Sequence, residues 1–323
     1  MLIRALAVSS SRGLGVAVIA LAFLSASASA ADKIRVGTPE STGFSFGVPD
    51  VGNETGIFKK YGIEVERIDF AGGAKMHQAM DAGALDVISG TGSDMLFLTK
   101  GAPERGVAAY ANDLNAISLV VRADDPARKI EDLKGKTVGT STTGSFTSWI
   151  AKTIAAQHGL GPDDLKIAYL GTMSGIIAGL LTSNVDVITG PTSRSLILQN
   201  EGKVRILVNA GDEIQNFIAN VVYASNSMMK DRPDDLRKFL RAWFETIRFM
   251  KDHKAETVRI TQKSTQLPDD IASKGYDLEM PSFFTDGHFD RKKLAAVQQS
   301  LVDLKLLERA VPDDTLITEA FLQ

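Results

Sequence analysis

The sequence predicts an α/β protein of two pseudo-equivalent lobes joined by two hinge strands, and three observations carry that prediction. First, one pattern is written twice. Val36-Gly37-Thr38 opens a Ser/Thr/Gly loop ending near Ser45, and Val138-Gly139-Thr140 opens another through Thr143-Gly144-Ser145. Leu85-Asp86-Val87-Ile88-Ser89-Gly90 is likewise matched by Val185-Asp186-Val187-Ile188-Thr189-Gly190. Second, each landmark is a short apolar strand followed by small polar residues and a helical pattern, the mark of a βαβ-type unit. Third, 323 residues with 44% apolar and 23% charged side chains are enough to bury one large or two medium cores. Ligands of open α/β sheets sit beyond the carboxyl ends of the strands, so the cleft between two facing lobes is the expected site.

Residues 1–30 stand apart from this pattern. Arg4 and Arg12 precede the apolar run 14–24, which ends in Ala28-Ser29-Ala30, and this reads as a secretory signal peptide cleaved after Ala30. The run is about half the roughly 20 residues that a membrane-spanning helix needs. Lobe 1 is then expected over 31–118 plus 225–323, and lobe 2 over 119–224.

In lobe 1 the alternating strand 33–38 stops at Pro39, which cannot donate to a ladder. A helix over 49–60 bears Val51, Ile57 and Phe58 and leaves through Tyr61-Gly62. The strand 63–70 follows, then a helix over 72–82 with Met76, Ala79 and Met80 at helical spacing and Gly83 as its stop. The strand 85–89 runs into Gly90-Thr91-Gly92-Ser93-Asp94, another helix entrance. Ile117–Arg122 is a strong strand broken by Asp124-Asp125-Pro126. The second copy supplies Thr137–Thr140, 166–170 and 185–189, followed by strands at Val204–Asn209 and 218–224. Ile117–Arg122 and 218–224 are the expected crossovers between lobes, after which helices starting with 234–253 return to lobe 1.

The absence of cysteine removes disulfides, thiolate catalysis, Cys-ligated zinc and a lipid-modified cysteine anchor. Without the two signal arginines the net charge is −5, with 34 basic against 39 acidic residues. There is no basic run of the kind that nucleic acid or anionic lipid requires. His77, His158, His253 and His288 show no metal-ligand spacing, and no GxSxG, Walker or GxGxxG motif follows a strand. No cofactor or metal is expected. Paired acids such as Asp234-Asp235, Asp269-Asp270 and Asp313-Asp314 each follow a proline, as helix starts do.

The binding candidates are the strand-end loops. Thr140 to Ser145 holds five hydroxyl side chains at a helix entrance, where backbone N–H groups lack partners and the dipole is positive. One hydroxyl suffices for a cap, so Ser141, Thr143, Gly144 and Ser145 are candidates to face an anion. In the matching loop of lobe 1 the candidates are Ser41, Thr42 and Phe44, with Phe146 as the second aromatic. Gly73, Thr91, Ser93, Thr172 and Pro191 complete the ring. Lys75 and Arg194 are the nearest cations, each one turn inside a helix, and donor loops without a cation suit a singly charged, weakly hydrated anion or a neutral head group. A lone loop carboxylate such as Glu40 commonly caps backbone or is solvated, and an ammonium partner is its other reading.

Gly56-Ile57-Phe58-Lys59-Lys60-Tyr61-Gly62-Ile63-Glu64-Val65-Glu66, the Gly72-Gly73 pair, Lys100-Gly101-Ala102-Pro103 and the run from Leu133 to Ser141 resemble the nitrate/sulfonate/taurine-type substrate-binding proteins of ABC importers, the NMT1-like group. The resemblance implies a type II-like periplasmic-binding-protein fold. It also implies capture of a small anion, sulfonate, taurine or nitrate-like, by hinge closure in the periplasm, and delivery by a monomer to an ABC permease with its cytoplasmic ATPase. By motif position, its ligand-facing loops fall on Ser41 to Ser45, Gly73, Thr91 to Ser93 and Ser141 to Ser145. Relatives also take bicarbonate, pyrimidines and aromatic acids. The chain is not expected to be an enzyme. Two alternatives use the same scaffold: an enzyme with Glu40, Asp94 or Asp113 as general base, and a ligand-sensing partner of a membrane receptor.

Overall fold

The computed structural model describes residues 32–41 and 43–322, so the expected signal peptide and Thr42 lie outside the described residues. The first stretch of chain lays down β1 (Asp32–Thr38), α1 (Val48–Glu54), α2 (Ile57–Lys60), β2 (Ile63–Asp69) and α3 (Gly73–Asp81). It continues through β3 (Val87–Thr91), α4 (Met95–Thr99) and β4 (Glu104–Asn112). A second stretch holds β5 (Ile117–Arg122), β6 (Thr137–Thr140), α5 (Phe146–Gln157), β7 (Lys166–Tyr169) and α6 (Met173–Leu181). It ends with β8 (Val187–Pro191), α7 (Thr192–Asn200), β9 (Val204–Asn209) and α8 (Ala210–Glu213). The chain then adds β10 (Ile218–Ser225), α9 (Asn226–Asp231), α10 (Pro233–Asp252) and α11 (Lys254–Thr265). It closes with α12 (Asp269–Glu279), α13 (Arg291–Asp303) and α14 (Asp313–Leu316).

Two five-stranded sheets result, in the orders β2-β1-β3-β10-β4 and β7-β6-β8-β5-β9. They match position by position, each with three parallel strands and a fourth, antiparallel one, β10 in the first sheet and β5 in the second. The registers agree to the residue: Val36 and Gly37 face Val87 and Ile88, and Val138 and Gly139 face Val187 and Ile188. The repeated aspartate has one job in both copies, since Asp86 accepts from the Arg35 N–H and Asp186 from the Thr137 N–H, each at 2.8 Å. The repeated glycine is set by crowding. A Cβ on Gly37 would lie 2.5 Å from the Leu85 side chain, and one on Gly139 would lie 3.0 Å from Val185.

The crossings differ from the expectation. β5 pairs only within the second sheet, and β10 pairs along its length with β3 and β4 in the first, so residues 218–224 do not belong with the second lobe. The physical reason is backbone satisfaction. All eight residues of β10 are buried, and a strand spanning an open cleft would leave buried N–H groups unpaired. The chain passes between sheets through the short segments 113–116 and 210–217, which hold Asp113 and Asn216 in the left-handed region at φ 61° and 56°.

The first of the C-terminal helices packs on the elements that flank the first sheet. Proline at the start and Asp234-Asp235 in the first turn launch α10, whose buried Leu236, Phe239 and Trp243 pack inward. Phe239 stacks on Phe58 with centroids 5.8 Å apart, and Trp243 meets Tyr110 edge-on at 5.4 Å. Further along, α12 lies across to the other lobe, where its Ile271 and Ala272, with Leu267, form a small core against Leu196 and Ile197 of α7.

Candidate functional site

The two sheets point the carboxyl ends of β1, β3, β6 and β8 at one another, and a cavity of about 370 Å³ lies between them. Three helices begin on its wall. Gly72 and Gly73 start α3, Ser145, Phe146 and Thr147 start α5, and Thr172, Met173 and Ser174 start α6. Ser145 caps α5 by accepting from the Ser148 N–H at 3.4 Å, and Thr172 caps α6 by accepting from Gly175 at 3.3 Å. No side chain caps α3. Its Gly72 sits at φ 95°, where a Cβ would lie 2.7 Å from the Thr142 hydroxyl, so the lobes approach each other closely at this glycine.

The candidate residues divide into three groups. Ser41, Gly73, Thr91, Ser141, Ser145, Phe146 and Thr172 line the cavity. Pro191 lines a deeper recess of about 60 Å³ that shares Glu40, Phe46, Phe146, Thr147 and Met173 with it. The remaining described candidates lie elsewhere. Phe44 is core, edge-on to Tyr276 at 5.8 Å and Phe283 at 6.3 Å. Ser93 is buried beside Thr91, with its hydroxyl 3.2 Å away. Thr143 is exposed, and Gly144 turns its open side to Leu96 across the lobes. Neither cation reaches the cavity wall: Lys75 is exposed, and Arg194 donates to the Thr265 carbonyl at 2.7 Å.

The loop hydroxyls are wired together. Thr147 Oγ1 lies 3.3 Å from Ser141 Oγ and 3.1 Å from Ser145 Oγ, and it accepts from the Ser141 N–H at 3.2 Å. This places hydroxyl donors and the first N–H groups of α5 on one wall. The opposite floor is acidic. Asp94, 1% exposed, accepts from the Thr91 N–H at 2.8 Å and lies 3.6 Å from His77 Nε2, while His77 Nδ1 pairs with the buried Glu104. Burial pulls the His77 pKa down, but contacts with Asp94 and Glu104 outweigh it and hold the group at about 9.

Sequence reasoning missed two features of this site. The apolar lining by Phe70 and Ile176, beside the loop residues Phe46 and Met173, was hidden because apolar residues at strand and helix ends read as core. Glu279, on the wall of the recess, comes from the end of α12 and gave no local signal. It is 5% exposed and takes a hydrogen bond from the Ser45 hydroxyl, 234 residues away in sequence. Among the described residues no group of His, Cys, Asp and Glu is arranged to hold a metal ion.

Two α/β lobes of matched topology facing across a loop-lined cavity define the periplasmic-binding-protein fold. Residues 50–257 match the model of the NMT1/THI5-like family, and the chain belongs to that family. It is 23% identical over 217 residues to a protein named as a binding protein in Brucella abortus, a match covering 66% of each chain and so just under two thirds of that protein's length. The alkanesulfonate-binding protein SsuA of Xanthomonas axonopodis pv. citri, bound to MOPS, superposes with a TM-score of 0.77 at 15% identity, covering 88% of this chain and 98% of that one. The periplasmic aliphatic sulphonate binding protein SsuA of Escherichia coli gives 0.72 at 20% identity, covering 89% and 92%. The desulfurization enzyme DSZB shares the fold as well, with a TM-score of 0.63 at 17% identity, covering 90% and 97%.

Proposed function

We propose that this protein is the periplasmic solute-binding component of an ABC import system. It captures a small solute with an anionic or strongly accepting head group, of the sulfonate, taurine or nitrate kind, and presents it to the permease. The observation that carries this reading is the convergence of three helix N-termini on one cavity of about 370 Å³ between two lobes. Unpartnered N–H groups and the Ser141–Ser145–Thr147 hydroxyls meet an acceptor head without a basic side chain. The segments 113–116 and 210–217 act as the hinge, and the ligand stabilises the closed form by its greater affinity for it. The sulfonate-binding neighbours support the choice of head group, and the solute-binding proteins among them support a role without catalysis.

Thermal unfolding of chain beginning at Ala31, stripped of ligand, tests the reading against sulfonates, taurine, nitrate, pyrimidines and aromatic carboxylates. A true ligand at about a hundred times its Kd adds roughly 2.7 kcal/mol to stability and raises the midpoint. A panel without a single shift, on protein shown to refold, counts against an anion-headed solute.

A further inference from the structure

We propose that the solute also carries a basic nitrogen, an ammonium, amidinium or amino-heterocycle, held in the recess between Glu40 and Glu279. The inference rests on the solute-binding reading above and deepens it. Among the described residues, the cavity and recess together are lined by five carboxyl side chains, Glu40, Asp69, Asp94, Asp113 and Glu279, and by no lysine, arginine or histidine. Some of these acids are already balanced. Asp69 pairs with Arg67 at 2.8 Å and Asp94 faces His77, so neither needs a ligand.

Glu279 is different. It is 5% exposed, lines the recess, and among the described residues its carboxyl group is hydrogen-bonded to Ser45. A carboxylate in such a place is costly until a cation joins it. The groups around it give it none. Glu40 reaches it from the β1–α1 loop and adds like charge, Asp113 lines the same recess from the hinge, and Tyr110 faces it from β4. On the packed helices, Lys251 donates to the Met280 carbonyl, Arg194 to the Thr265 carbonyl, and Lys254 pairs with Asp277 beside Tyr276. Burial first, then Glu40, pushes the Glu279 carboxyl up to about 8. In the empty cleft it is therefore protonated at neutral pH, and it gives up that proton when a cation arrives. Phe46 and Phe146 flank the recess and favour a positive group over their faces.

The test uses matched pairs: taurine with isethionate, 3-aminopropanesulfonate with propanesulfonate, and an aminomethylpyrimidine with the methylpyrimidine. Titration calorimetry across pH is expected to find the amine at least tenfold tighter than its partner. Its affinity should rise about tenfold per pH unit from 6 to 8, because one proton is released on binding. Glu279→Gln, which keeps a partner for Ser45, should abolish both the preference and the slope. Glu40→Gln should reduce the preference and, because the Glu40 charge helps raise the Glu279 carboxyl, make the pH dependence level off at a lower pH. Equal affinity within the pairs, or a preference that survives Glu279→Gln, overturns the proposal and leaves the import reading standing. Binding by neither member of any pair, with a ligand found instead among nitrate or the aromatic carboxylates, overturns the proposal and leaves the import reading standing.

Discussion

His77 and Glu279 each hold a proton in the folded chain well above the pH at which an exposed histidine or glutamate would release it. The folded-state value is about 9 for His77 against an ordinary 6.5, and about 8 for Glu279 against 4.5. A raised folded pKa gives stability that is complete below the unfolded pKa and lost as pH rises through the folded one. The Glu279 contribution therefore fades from pH 4.5 to 8, and that of His77 from 6.5 to 9. Both windows overlap between 6.5 and 8, where two protons separate the folded and unfolded chains and stability falls fastest, by about 1.4 kcal/mol per proton per pH unit. Urea midpoints of ligand-free protein across pH 5–9 are expected to show this steepening, with the slope about halved in Glu279→Gln. An unchanged slope would mean that Glu279 is ionised in the empty cleft. Neither group was legible as functional from sequence. His77 lacks metal spacing, and its partners Asp94 and Glu104 meet it only once α3, α4 and β4 have packed.

At the scale of elements, the duplication was readable because it repeats both residue types and their physical duties. The Asp86 and Asp186 bonds to the first strand of each sheet, the close packing at Gly37 and Gly139, and the strand-to-helix loops all recur. β4 escaped notice because nearly all of it is buried, so Glu104–Asn112 shows no alternation, and its first residue is a buried charge rather than a typical strand former. β10 was legible as a strand but was assigned to the wrong sheet, since sequence order says nothing about which edge its N–H groups will satisfy. The α5 entrance was weighed as cap against anion site, and Ser145 is placed for both. Ser145→Ala is expected to destabilise the protein by about 1 kcal/mol through loss of the cap. If that hydroxyl also meets the solute head, isethionate affinity falls by more than the same change at the α6 cap, Thr172→Ala, produces. Equal effects in parallel denaturation and binding series would reduce Ser145 to a cap alone.

For the whole molecule, the question is what holds the lobes together before any solute arrives. Some of the contacts between them are small and polar: Gly72 against Thr142, and Trp149 Nε1 donating to Ser300 at 3.0 Å. Others are apolar: Leu267, Ile271 and Ala272 pack on Leu196 and Ile197, joining the C-terminal helices to α7. Apolar burial of this kind biases the equilibrium toward closure, and a pre-closed cleft binds with an apparent Kd set by its closed fraction. Ile271→Ala removes the most buried of the larger side chains in that contact, yet α12 stays tied to α10 through the Tyr276 hydroxyl, which donates to the Met250 carbonyl at 2.7 Å. A buried Ile→Ala change costs about 2–5 kcal/mol in general, and the part that falls on the lobe contact is withdrawn from the closed state alone. The ligand-free variant is therefore expected to scatter X-rays with a larger radius of gyration than the parent chain. It should regain the parent value when saturated with ligand, and bind that ligand about tenfold more weakly for each 1.4 kcal/mol withdrawn. If the radius and affinity both stay the same while stability drops, α7 and α12 move as one body, and closure is governed by the hinge segments and the solute alone.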